Sequence, residues 1–134
     1  MHIRGTHHVA LLTKRFAELR AFYVETLGLR VIGGFPGCNI VFLDAGGIAI
    51  ELIEEEGDGT PGIGRGWDHL ALEVDDVDDA YTELVARGVP FASPPEDFPP
   101  KAPSMRIAFL KDPDGNLVEL VQPLAERFPG AAGP

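Results

Sequence analysis

Two nine-residue stretches of this chain, "GTHHVALLT" (5–13) and "GWDHLALEV" (66–74), read as one strand written twice. In each, a histidine (His8, His69) stands directly before an apolar–Ala–Leu triplet, where Leu or Val would be the ordinary choice. An internal repeat constrains a fold more than any composition does, because each copy must build the same supersecondary unit. The signals that follow each copy agree. In the first, Thr13 is placed to cap a helix over about 14–27 with apolar positions Phe16, Leu19, Phe22, Tyr23 and Leu27, and Gly28 ends it. "LRVIGGF", "CNIVFLDA" and "IAIELIE" (48–54) then read as strands. In the second, Asp75 is placed to cap a helix over 76–87 with the stripe Val77, Ala80, Tyr81, Leu84 and Val85, closed by Gly88. A short strand "VPFA", a proline-rich loop "SPPEDFPPKAPS", the strand "MRIAFLK", a turn "DPDGN" (112–116) and the strand "NLVELVQ" (116–122) follow.

Each half is therefore β-α-β-β-β. The expected class is α+β, a single domain over 1–134 made of two tandem modules, about 3–54 and 66–122. A Gly/Glu/Pro-rich linker over about 55–65 joins them, and a tail runs over 123–134. Antiparallel pairing within each module would form a cupped half-barrel sheet with its helix on the outer face. The offset between copies is 61 for the histidines but 68 between Glu51 and Glu119, and the proline-rich loop at 93–103 is the cheapest place for the extra residues.

Strand side chains alternate with a period of two. Val9 and Leu11, Ile50 and Leu52, Leu70, Leu72 and Val74, and Val118 and Leu120 give each strand one apolar face for its helix. The opposite face carries one His or Glu between apolar neighbours. Burying such a carboxylate is costly unless it is paired or bound to a metal. Convergence of His8, Glu51, His69 and Glu119 on one ion accounts for all four at once. Two imidazoles and two carboxylates suit a single divalent Ni, Co, Zn, Mn or Fe ion, and no thiolate favours a softer one. His7 points to the other face of a regular strand and stays outside the set. The flanking residues Ala10, Leu12, Ala49, Ile53, Ala71, Leu117 and Val121 predict a mainly apolar pocket, with Glu73 at its rim.

Composition narrows the partners. The formal charge is −10 from 21 acidic and 11 basic residues, so neither nucleic acid nor an anionic membrane finds a positive patch. No apolar run is long enough to span a bilayer, and "MHIRGTHH" has no signal-like segment. The single cysteine, Cys38, excludes an internal disulfide and is expected as a small buried hydrophobe in a cytoplasmic protein.

The paired modules, "HHVAL" leading to "FYVETLGL", "AIELIE", "DHLALEV" and "DPDGNLVEL" resemble the vicinal oxygen chelate superfamily over about residues 3–122. This superfamily includes glyoxalase I, methylmalonyl-CoA epimerase, extradiol dioxygenases, fosfomycin-resistance proteins and bleomycin-binding proteins. The resemblance carries the metal positions onto His8, Glu51, His69 and Glu119, and the four-ligand set is most similar to that of glyoxalase I. It implies proton abstraction beside a carbonyl on a small-molecule substrate, with Glu119 and Glu51 as the two candidate catalytic bases. It also implies a homodimer, in which His8 and Glu51 from one chain can meet His69 and Glu119 from the other. Two positions depart from the glutathione-dependent members: Leu12 replaces an Arg and Glu55 an Asn, which argues against glutathione as the carrier. The alternatives are a methylmalonyl-CoA epimerase-like isomerase, an extradiol-type Fe²⁺ dioxygenase using His8, His69 and Glu119, and a non-catalytic small-molecule-binding resistance protein.

Overall fold

A computed structural model describes residues 1–26, 28–55, 66–111, 113, 115 and 117–130. Leu27, the linker at 56–65, three residues of the "DPDGN" turn and the end of the tail at 131–134 lie outside the described residues. In chain order the elements are β1 (Ile3–Thr13), α1 (Phe16–Ala21) continued by a π-helical turn (Phe22–Thr26), β2 (Val31–Gly34), β3 (Ile40–Asp44) and β4 (Ala49–Glu54). The order then repeats as β5 (Gly66–Val74), α2 (Val77–Ala86), β6 (Phe91–Phe98), β7 (Met105–Lys111) and β8 (Leu117–Pro123). The α+β class and the doubled β-α-β-β-β order are those read from the repeat. The chain forms two compact units, one of Met1–His7 with His69–Arg127, the other of His8–Asp68 with the residues from Phe128 onward. Among the described residues no helix is long and apolar enough to cross a membrane.

In the unit that begins at His8 the strand order is β2-β3-β4-β1. Strands β2, β3 and β4 form an antiparallel meander, but β4 lies parallel to β1, with His8 beside Ala49 and Ala10 beside Glu51. The expectation of purely antiparallel pairing is corrected here, and parity explains it. The helical crossover starts β2 in the same direction as β1, and two hairpin reversals return β4 to that direction. Leu11, Leu43, Ile50 and Leu52 form the core, with Val9, Phe16, Leu19, Tyr23 and Val24 packed against it. Burial of each such Leu contributes about 1.5–3 kcal/mol.

The first helix differs from its expected form. Thr13 remains in β1 and its Oγ1 accepts from Arg15 N–H at 2.9 Å, while Arg15 holds the cap position with no side-chain capping bond. Phe22 is exposed, because at helical spacing it falls off the stripe made by Phe16, Leu19 and Tyr23. Gly28, at φ +79°, ends the segment, and Leu29 N–H reaches back to Tyr23 O at 2.9 Å. Cys38 is exposed rather than buried, since it sits in the turn between β2 and β3.

In the other unit the order is β5-β8-β7-β6, with β8 parallel to β5 and the rest antiparallel, by the same parity. Val74, Val77, Ala80, Ala108 and Leu120 form its core, joined by Leu84, Phe91 and Leu110. Tyr81 stands edge-on to Phe91 with ring centroids 4.6 Å apart, while Val85 and Leu70 are exposed. The cap of α2 is Asp76, one residue later than expected, and its side chain accepts from Asp79 N–H at 3.0 Å. The segment "FASPPEDF" is a strand, not a loop. Pro94 and Pro95 are tolerated because β6 is outermost in its unit, with register breaks between Phe91 and Ser93 and between Ser93 and Glu96. The extra length of the second copy is thus partly a longer strand, 8 residues in β6 against 4 in β2.

Candidate metal centre

The two parallel pairings place the four polar side chains in identical registers. Glu51 lies opposite Ala10, two residues beyond His8 on β1. Glu119 lies opposite Ala71, two residues beyond His69 on β5. Residues at this diagonal share a strand face and are within reach of one another. His8 Nε2 stands 3.2 Å from Glu51 Oε1, and His69 Nε2 stands 3.4 Å from Glu119 Oε1. Each unit therefore holds one imidazole–carboxylate pair.

A third strand completes each pair. Phe42 on β3 is the register partner of Glu51, and Phe109 on β7 is that of Glu119. Phe42 meets His8 edge-on, with centroids 5.5 Å apart, and Phe109 meets His69 in the same way at 5.2 Å. The phenylalanines escaped the reading of the sequence, although "VFLD" and "AFLKD" repeat as clearly as the histidine strands do.

Burial sets the energetics. His8 is 1% exposed, Glu51 8% and Glu119 5%, and the His69 side chain 6%. Ala10, Ala49, Ala71 and Val121 beside them are fully buried. A carboxylate in such surroundings loses its hydration, so it needs a positive partner close by. The donor set fits a divalent metal. Two ligand atoms bound to one ion at about 2.0–2.2 Å stand roughly 3 Å apart, close to the separation in each pair. Each pair offers one imidazole nitrogen and one carboxylate oxygen, the types that borderline divalent ions take.

Two further buried polar residues have other partners. His7 is fully buried and its Nε2 lies 2.6 Å from Arg127 O. Glu73, expected at a rim, is 8% exposed and accepts from Arg127 Nε at 2.7 Å, with Arg4 3.9 Å away. Arg127 Nη2 also donates to Thr6 O at 2.9 Å. A polar cavity of about 330 Å³ lies against this pair, walled by Arg4, Asp75, Gln122 and Arg127. Nothing in the local pattern around "AERFPG" marks Arg127 for this role.

Residues 5–120 match the family model described as Glyoxalase/Bleomycin resistance protein/Dioxygenase superfamily. The uncharacterized protein YraH of Bacillus subtilis is 30% identical over 125 residues, covering 87% of this chain and 96% of that protein. A probable lactoylglutathione lyase of Vibrio parahaemolyticus is 30% identical over 109 residues, covering 75% of this chain and 78% of its own. The crystal structure of methylmalonyl-CoA epimerase from Mycobacterium tuberculosis matches with a TM-score of 0.72 at 22% identity, covering 90% of this chain and 89% of that one, a likeness of fold.

Proposed function

Because the chain belongs to the Glyoxalase/Bleomycin resistance protein/Dioxygenase superfamily, we propose that it is a metal-dependent lyase or isomerase. Its reaction is a proton shift between adjacent carbons of a small α-oxygenated carbonyl compound. The observation that carries this reading is the duplicated pair, His8 with Glu51 and His69 with Glu119, each in the same register and each with side chains no more than 11% exposed. We assign all four residues as ligands of one divalent ion of the Ni, Co, Zn, Mn or Fe group. The active form in this reading is a cytoplasmic homodimer, and the two pairs belong either to one chain or to two.

His8, Glu51, His69 and Glu119 would hold the divalent ion, which would supply Lewis acidity to the substrate's carbonyl group. The proton is carried by the chain. Glu119 or Glu51 takes the α-hydrogen as the C–H bond breaks, holds it as a carboxylic acid O–H, and returns it to the neighbouring carbon. The phenyl rings of Phe42 and Phe109 shield each carboxylate–imidazole pair from water, which strengthens every electrostatic contact made there. The apolar side chains around the pairs favour a compact substrate. Leu12 and Glu55, replacing the Arg and Asn of glutathione-dependent members, weigh against glutathione as its carrier, whereas the Vibrio relative weighs toward glyoxalase chemistry.

The test is protein loaded with Ni²⁺, Co²⁺ or Zn²⁺ and assayed with the methylglyoxal–glutathione hemithioacetal, together with deuterium exchange into small 2-hydroxycarbonyl and acyl-CoA compounds. Exchange or turnover that a chelator abolishes supports the reading. Turnover of the hemithioacetal keeps the proton shift and removes the argument against glutathione. If no metal supports either reaction and Glu119→Gln binds small ligands as wild type does, the binding-protein alternative replaces it.

A further inference from the structure

The residues after β8 bring an aromatic ring to Phe42, the ring that meets His8 edge-on. Gly34 N–H donates to Pro129 O at 2.8 Å, so the C-terminal segment is bonded to β2, the outermost strand of its unit. The approach depends on bare backbone. A Cβ on Gly33 would meet Pro129 O at 2.5 Å, and one on Gly130 would meet Gly34 O at 2.8 Å. Gly130 also holds φ +73°, which side chains rarely adopt. Docked this way, the Phe128 ring lies 5.4 Å from Phe42, tilted at 51°. Phe35 supports Phe42 from another direction at 5.7 Å. Phe42 is fully buried and is the ring edge-on to His8.

We infer that Phe128 is a positioning residue for His8, acting through Phe42, and that the bare Gly33 and Gly130 backbones let it dock. The argument is steric. A phenyl ring turns about two side-chain torsions, and close packing from several sides removes that freedom. Held by Phe35 and Phe128, Phe42 presents one edge to the imidazole and fixes its plane, the task that outer partners of metal-ligating histidines commonly perform. Arg127, the preceding residue, ties the backbone one position earlier on β1 through its carbonyl and His7. Consecutive residues of the segment thus restrain consecutive histidines, His7 directly and His8 through a ring.

This inference rests on the proposed metal-binding role of His8, and the test separates the two. The histidine ring resonances of metal-free wild type, Phe128→Ala, Phe128→Leu and Gly33→Ala are compared by NMR, and Co²⁺ affinity is measured on the same samples. The expected result is a displaced and broadened His8 resonance in Phe128→Ala and Gly33→Ala, with His69 unmoved and the fold intact. Co²⁺ affinity falls about tenfold in both, the loss typical of an outer partner, and Phe128→Leu recovers most of it. Unchanged His8 signals in folded Phe128→Ala and Gly33→Ala overturn the inference, as does an equal disturbance of His69. If wild type binds no divalent ion, the proposed function fails, while the His8 resonance still decides whether Phe128 positions the ring.

Discussion

The ring of Phe42 meets the imidazole of His8 edge-on, with centroids 5.5 Å apart and planes at 75°. Phe109 and His69 repeat the arrangement at 5.2 Å and 86°. In both, the phenylalanine occupies the strand position directly opposite the glutamate that faces the imidazole. The repeated unit is therefore three side chains on three adjacent strands, and edge-on contact is the orientation aromatic quadrupoles favour.

Phe42 is fully buried, so its removal leaves a cavity. Phe42→Ala is expected to lower unfolding stability by about 3–5 kcal/mol in urea titrations. Phe42→Leu keeps most of the volume and costs less than about 1.5 kcal/mol, yet loses the edge that holds His8. A Phe42→Leu protein with both wild-type stability and wild-type Co²⁺ affinity would remove any special role for the ring.

Glu51→Gln and Glu119→Gln preserve shape and remove one anionic ligand each. Both are expected to weaken metal binding more than tenfold, on the order of the loss seen even for outer-shell partners, measured by calorimetry with Co²⁺ or Zn²⁺. The catalytic base is the one whose replacement abolishes deuterium exchange even at saturating metal. If neither substitution changes metal affinity, the four-ligand assignment is wrong.

Arg127 holds the buried carboxylate of Glu73 at 2.7 Å. Arg127→Met leaves that carboxylate without its closest cation and is expected to cost about 1.5–3 kcal/mol, the usual range for a hydrogen bond to a charged group. Adding Glu73→Gln should restore a good part of the loss, because a neutral amide tolerates the site better. A double-mutant cycle gives the coupling directly, and additive effects would contradict the pairing.

Arg106 donates to Asp78 at 2.6 and 2.9 Å and to Asp97 at 2.9 Å, joining β7 to the first turn of α2. Its hydrogen bonds hold the Asp78 carboxyl below the ordinary carboxylate value of 3.8. A depressed folded pKa contributes stability that is fully present above the unfolded value and is lost as pH falls through the folded one. Arg106→Met should therefore lower the urea midpoint more at pH 6 than in acid below the ordinary carboxylate value of 3.8, where the contribution is lost as Asp78 protonates in the folded state. The difference will be small because both groups are solvent-exposed, and an equal or larger loss at low pH would refute the assignment.

Local periodicity was enough to put His8, Glu51, His69 and Glu119 on the strand faces opposite the helix-packed ones. A period of two is a property of the extended backbone itself and needs no partner strand. The same locality made the doubled β-α-β-β-β order legible, since caps, glycines and apolar stripes act within a few residues. The first helix departs from its expected form because the chain passes into π geometry after Ala21, and "FASPPEDF" pairs as a strand because its prolines forbid only a central one. Whether a strand is central or outermost is settled by other strands.

Only the tertiary structure decided that β4 returns parallel to β1 and β8 to β5, which sets Glu51 and Glu119 across from Ala10 and Ala71 and within 3.4 Å or less of the two imidazoles. It also brought Arg127 to Glu73, 54 positions away, and Phe128 to Phe42. Neither residue carries a period, a motif or a cap, so no local signal marks it. Such contacts form only when distant segments close on one another, and a chain read in order records the side chains but not the closure.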